Sequence, residues 1–214
     1  MTKHLSAAAL RRWVGLAFVF LLGGCAAQVS EYAGEKPELD LAEFFNGPVK
    51  AWGIVQNRSG KVVRRFEVDM IGRWDGNRGV LEEDFRFSDG GTERRVWHFT
   101  KVDSHTYTGT AGDVAGEARG EAYGNALRWR YVLELDVDGK TWHIAFDDWM
   151  YLLDERTMIN RSEMKKFGLR VGEVTLFFMK PEGADPLARG LNQDPCSASE
   201  HAMAPGGCGG GRTS

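Results

Sequence analysis

From Leu127 to Leu153 the chain alternates apolar and polar positions almost without a break. Leu127, Trp129, Tyr131, Leu133, Leu135 and Val137 are apolar at every second position, and Arg128, Arg130, Glu134 and Asp136 fall between them. A period of two places one set on a buried face and the other in solvent, which predicts a β-strand. After Asp138-Gly139 the pattern returns in Trp142, Ile144, Phe146, Met150 and Leu152, with Asp148 the one charge in the apolar series. Asp-Gly is a strong hairpin signal, because a two-residue turn needs positive φ at both central positions.

The same reading extends in both directions. Strands are predicted over Val49–Gln56, Val62–Trp74, Gly79–Phe87, Thr92–Lys101, Thr106–Thr110, Val114–Tyr123, Thr157–Met164 and Leu169–Lys180. Turn residues separate them, among them Asn57–Gly60, Asp75-Gly76-Asn77 and Gly124-Asn125. Long helical periods are missing from this region, so parallel βαβ topology is not expected. The fold class predicted is all-β: an antiparallel up-and-down barrel of about ten strands. Strands as long as Val62–Trp74 and Thr141–Leu153 favour closure over an open sandwich, since closure removes exposed edges. Asp40 to Phe45 predicts a short helix with Asp40 at its N-cap, placed to plug one end of the barrel.

The ends of the chain carry an address. Lys3, Arg11 and Arg12 precede an apolar run from Trp13 to Leu22, which Gly23-Gly24-Cys25 follows. A basic start, a short apolar core and small residues at the exit form a secretory signal, too short for a comfortable membrane span. Leu22-Gly23-Gly24-Cys25 also resembles the bacterial lipobox, in which lipid is attached to the cysteine sulfur. Residues 1–24 are therefore expected to be a lipoprotein signal peptide, with acyl chains such as palmitate on Cys25 tethering the chain to a membrane. Ala26 after the cysteine points to the outer membrane of a Gram-negative cell, facing the periplasm. Residues 25–38 read as a tether, 39–180 as the barrel domain, and the Gly- and Pro-rich residues 181–214 as a disordered tail.

With Cys25 lipidated, Cys196 and Cys208 remain, and an oxidising compartment would allow a disulfide between them. His201 lies between them, but the spacing does not resemble a zinc site, so no metal and no cofactor are assigned. A net charge of -3, with Lys and Arg scattered, gives no attraction to nucleic acid.

The candidate chemistry lies on the inward parity. Gly112, Val114, Gly116, Ala118, Gly120, Ala122 and Gly124 would form a wall of small side chains. Bulky residues face it from other strands: Phe66, Trp74, Phe85, Phe87, Trp97, Phe99, Trp129, Tyr131 and Phe146. One small wall opposite aromatic ones suits a pocket for an apolar ligand, and it equally suits a filled core in which glycines permit close packing. Arg64, Glu83, Arg95 and Asp148 share that parity and must be paired or solvated, as a ligand anchor or as ion pairs. The ligand-site candidates are Trp74, Glu83, Phe85, Trp97, Gly116, Gly120, Trp129, Tyr131, Phe146 and Asp148. Asp147, Asp148 and Glu83, with His143 nearby, are the carboxylates that acid–base catalysis would use. They lack a nucleophile elbow, a phosphate loop or zinc spacing, so no catalytic residue is assigned.

Several strings stand out as a set: Asp113-Val114-Ala115-Gly116, Gly124-Asn125-Ala126-Leu127-Arg128-Trp129, Phe146-Asp147-Asp148-Trp149-Met150-Tyr151, Asn160-Arg161, Phe167-Gly168 and Val171-Gly172-Glu173-Val174-Thr175. As a set they resemble the bacterial lipoproteins catalogued as domain of unknown function 3833, over roughly Leu39 to Lys180. The resemblance implies the lipoprotein address and an all-β domain similar to the lipocalin-like calycin barrels, and it implies no reaction. The expected function is a lipid-anchored periplasmic barrel that binds or carries a small apolar ligand such as a fatty acid or lipid fragment. The alternative is an interaction or structural lipoprotein that meets an envelope partner through its surface, with Trp149, Tyr151 and Leu153 as an outward patch.

Overall fold

Every strand among the described residues is paired on both sides. A computed structural model describes residues 26–137 and 139–182, so the signal peptide, Cys25, Cys196 and Cys208 lie outside the described residues. Ten strands follow one another as β1 (Gly47–Asn57), β2 (Val62–Asp75), β3 (Arg78–Phe87), β4 (Thr92–Lys101), β5 (Thr106–Thr110), β6 (Ala118–Tyr123), β7 (Ala126–Val137), β8 (Lys140–Leu152), β9 (Thr157–Lys166) and β10 (Leu169–Met179). Each pairs antiparallel with its neighbours in sequence, and β1 pairs with β10 to close the ring. This is the all-β, up-and-down barrel that the alternation predicts.

The turns obey the chemistry read from them. Val137 pairs with Lys140 across the Asp-Gly turn, where Gly139 takes φ +72°. At the β9–β10 turn the residue taking positive φ, alongside Gly168, is Phe167 at φ +50°, an unusual conformation for a bulky residue. Burial alternates clearly in β6, where Ala118, Gly120 and Ala122 are buried and Arg119 and Glu121 are exposed.

A helix, α1 (Leu41–Phe44), closes the end of the barrel where β1 begins. The Ala42 backbone N–H donates to Asp40 Oδ1 at 2.8 Å, which satisfies one orphan donor of the first turn. Lys101 Nζ pairs with Asp40 Oδ2 at 2.5 Å, and the Tyr107 hydroxyl donates to Asp40 Oδ1 at 3.1 Å. Leu41, Phe44 and Phe45 are buried among the barrel side chains, and Phe45 sits edge-on to Phe178. Gly72 lets the cap approach: a Cβ there would lie 1.7 Å from the Phe45 carbonyl oxygen.

The sequence expectation departs from the structure in two places. The predicted strand Val114–Tyr123 begins only at Ala118; residues before it form a loop that turns at Gly116 (φ +72°) and touches β7 through a Val114–Leu133 bridge. Glycines at every second position mimic strand alternation, but they also permit the left-handed backbone that the loop uses. The stretch expected as a tether, residues 25–38, carries a 3-10 turn at Val29–Tyr32. Val29 is buried there, and Tyr32 packs against Trp149 and Tyr151 at ring-centroid distances of 6.2 and 5.6 Å.

Candidate functional site

The barrel holds an interior cavity of about 310 Å3 that runs from α1 toward the opposite end. Leu41 and Phe45 form its floor; Arg64, Phe87, Glu93, Leu135 and Met164 line it near the far rim. Phe66, Phe85, Trp97, Phe99, Trp129, Tyr131 and Phe146 line its walls, as strand parity predicts. Those rings are locked to one another. Trp129 meets Trp97 and Phe99 edge-on at 5.8 and 5.4 Å, and Tyr131 stacks on Phe146 at 5.1 Å.

Of the sequence-derived site residues, Glu83, Phe85, Trp97, Trp129, Tyr131, Phe146 and Asp148 line this cavity together. Trp74 does not: it stacks on Phe99 at 6.0 Å and 9° near the α1 end, lying over Gly79. Gly116 is in the loop before β6, with open space where a Cβ would be. Gly120 is on the inward face, yet a Cβ there would be 2.3 Å from Trp129 Cε3, and at Gly109 the same indole would be 2.9 Å away. Gly120 and Gly109 therefore accommodate the Trp129 indole.

The four charged residues read as inward from the sequence, Arg64, Glu83, Arg95 and Asp148, all reach the cavity, and Glu93 joins them. Arg95, almost buried, is the hub of the first group. Its Nε donates to Asp113 Oδ2 at 2.8 Å, its NH2 group pairs with Asp113 at 2.7 Å and with Glu93 at 3.0 Å, and its NH1 group lies 3.9 Å from Glu83. Burial pushes the Glu83 carboxyl up to about 7; the Arg95 charge opposes the shift and Asp113 reinforces it. Arg64 stands nearer the rim, paired with Asp89 at 2.7 Å and with its guanidinium 3.5 Å from the Phe87 ring centre.

The second group has no cation. Asp148, 4% exposed, sits opposite Ser162 in the β8–β9 register, and Asn160 lies two residues away on the same face. The Ser162 hydroxyl donates to Asp148 Oδ1, and Asn160 Nδ2 donates to Oδ2 at 3.4 Å. Burial raises the Asp148 carboxyl to about 7 against these donors and the Tyr131 hydroxyl. Asn160 Oδ1 is buried and has no hydrogen-bond partner. Asn160 and Ser162 were absent from the sequence-derived set, although Met158, Asn160, Ser162 and Met164 alternate on one face and could have disclosed them. Asp113 was out of reach from sequence, because its contact with Arg95 crosses from a loop to β4.

Beside the cavity the wall is thin. β5 pairs with β4 only over His98–Lys101, and β6 pairs with β7 only over Ala126–Arg130, so the far halves of β4 and β7 are separated. The loop through Gly112 and Asp113 spans that gap. The Ala115 N–H donates to the Val132 carbonyl and the Glu134 N–H to the Asp113 carbonyl, while the Arg95–Asp113 pair ties the loop to β4. A surface hollow of about 1060 Å3 covers the gap and shares Arg64, Glu93, Arg95 and Leu135 with the interior. Among the described residues no cluster of three His, Cys, Asp or Glu side chains is placed to hold a metal.

Among solved structures, an S-type phycobiliprotein lyase, CPES from Guillardia theta, is similar to this chain at 9% identity and a TM-score of 0.50. The alignment covers 73% of this chain and 99% of that one, and at such low identity the likeness is one of fold. No curated protein matches the chain. A family model, described as protein of unknown function (DUF3833), matches residues 19–180, and the chain belongs to that family.

Proposed function

We propose that this protein is a lipid-anchored barrel of the cell envelope that binds or carries a small, mainly apolar ligand inside the barrel, a lipid fragment or fatty chain in size. The observation that carries the reading is the interior itself. A core built only for stability would bring apolar groups together in its middle; here a space of about 310 Å3 remains beside buried polar groups, and two of their atoms, Asn160 Oδ1 and Arg64 Nε, have no hydrogen-bond partner. That volume is at the lower end of the range for small-molecule sites, and the wall is apolar and aromatic with few polar groups, the usual make-up of such sites. The α1 cap supports a one-ended vessel, and the thin wall beside Arg95 gives a second way in.

The anchor is read from Leu22-Gly23-Gly24-Cys25, with the outer membrane and a periplasmic orientation following from Ala26. A binding role is preferred over a catalytic one. Asp148 accepts from Ser162 and Asn160, Glu83 faces Arg95, and the described histidines His98, His105 and His143 do not line the cavity. Native mass spectrometry of the protein purified gently from membranes tests the reading. A reproducible added mass released by organic extraction is expected; an apo mass with no uptake of added lipids would sink it.

One observation favours a surface role as the second reading. Trp52 and Phe177, each more than a third exposed, stack at 6.5 Å beside an outer groove of about 600 Å3 that Arg65, Glu67 and Arg86 also line. An envelope partner protein would bury that pair, and crosslinking from Trp52 in cells would trap it.

A further inference from the structure

The polar groups inside the barrel discriminate between kinds of ligand head, an inference that rests on the ligand-binding reading above. We propose that the cavity takes an uncharged lipid whose head donates a hydrogen bond, a hydroxyl or an amide N–H, to Asn160, and that it disfavours the ionised carboxylate of a free fatty acid of equal length.

The argument is a count of donors and acceptors. Around Asp148 the protein's donors are already used: the Ser162 hydroxyl on Oδ1, the Asn160 amide on Oδ2 and the Tyr131 hydroxyl, which also faces this carboxyl. What is left over is an acceptor, Asn160 Oδ1, on a side chain only 3% exposed that lines the cavity. Turning the amide around does not change this, because it would set a carbonyl oxygen against the Asp148 carboxylate and lose the existing bond. A buried acceptor without a donor is costly, and a ligand hydroxyl or amide would supply one.

A carboxylate head brings acceptors alone. Beside Asn160 it would meet Asp148, which burial holds near 7 and which is therefore mostly anionic at pH 8. Nor do the cations of the cavity offer it a place. Arg95 already faces Asp113, Glu93 and Glu83, three carboxyls to one guanidinium. Arg64 donates to Asp89 through its NH2 group at 3.0 Å and packs on Phe87, and its buried Nε, though without a hydrogen bond, lies 2.7 Å from the same carboxylate. A ligand carboxylate would have to displace a protein carboxylate at either arginine, and among the described residues no lysine lines the cavity.

The test uses 1-dodecanol, dodecanoate and dodecane as matched probes, with the full-length protein stripped of bound material by organic extraction and examined by native mass spectrometry. At pH 8 the alcohol should bind at least about ten-fold more tightly than the acid, the equivalent of one hydrogen bond to a buried partner. Lowering the pH to 5 should narrow the gap, because the protonated acid becomes a donor. Asn160→Met should lower alcohol affinity about ten-fold while dodecane uptake is unchanged. Equal binding of acid and alcohol at pH 8, or tighter binding of the acid, would overturn the head-group assignment and leave the pocket intact. Alcohol affinity unchanged in a folded Asn160→Met protein would overturn the role of Asn160. No uptake of any probe at either pH would overturn this inference together with the ligand-binding reading.

Discussion

Glu83 and Asp148 are carboxyls that the barrel holds away from water, and the consequence is a stability that depends on pH in a particular direction. Ordinary values of 4.5 and 3.8 are both raised to about 7 in the folded protein. Between those limits the folded chain keeps a proton that the unfolded chain releases, so each group's contribution is most favourable in acid and declines as pH rises toward 7. Glu83→Gln should remove its share of the decline. Urea unfolding at pH 8 should show a gain of about 1–3 kcal/mol, with little change at pH 5; an undiminished pH slope would mean that Glu83 does not carry that proton. Gly120 is constrained for a different reason. Its missing Cβ leaves space for Trp129, and Gly120→Ala would drive the indole toward the cavity at a cost of about 1–3 kcal/mol. A lowered unfolding midpoint with shifted tryptophan emission is expected; a variant as stable as the parent would show that the ring can move freely.

At the scale of elements, α1 is the piece whose loss would change the cavity most, and Asp40 is its fastening. One carboxylate caps the helix, pairs with Lys101 and accepts from the buried Tyr107 hydroxyl. Asp40→Ala should cost about 2 kcal/mol and speed hydrogen exchange at Phe44 and Phe45, whose N–H groups bond to Asp40 and Leu41 carbonyls. Unchanged exchange there would mean that packing of Leu41 and Phe45 holds the cap alone. This element was legible in advance, because an Asx residue before an apolar cluster is a local signal. So were the strand alternations and the Asp-Gly turn. The loop before β6 was misread because its glycines and alanines satisfy a strand pattern while its true conformation depends on the Arg95–Asp113 tie and the Val114–Leu133 bridge, both distant in sequence. The polar end of the cavity is half legible: Asp148 breaks an apolar series, whereas Asn160 and Ser162 lie in a strand with weak contrast between its faces.

For the whole molecule the decisive contact is the one between the ends. Nine of the ten strand pairings join neighbours in sequence, but β1 with β10 brings Lys50 beside Met179 and Asn57 beside Gly172. Local turn signals reveal the meander, while the existence of this seam follows from a global condition: strands this long and twisted leave two exposed edges unless they meet. The seam also joins the barrel to its cap, since Phe178 on β10 packs against Phe45 and lines the cavity with Val174 and Leu176. A chain ending at Gly168 would lose β10 and with it one paired edge from β1 and one from β9. Two open edges of about ten residues each, bordered by a breached apolar interior, would recruit other chains, so the truncated protein should assemble into large species on size-exclusion chromatography even when made slowly and cold. If it instead remained monomeric with a cooperative unfolding transition, β1 and β9 would have to close directly, and the interior would be the product of nine strands with β10 an accessory to it.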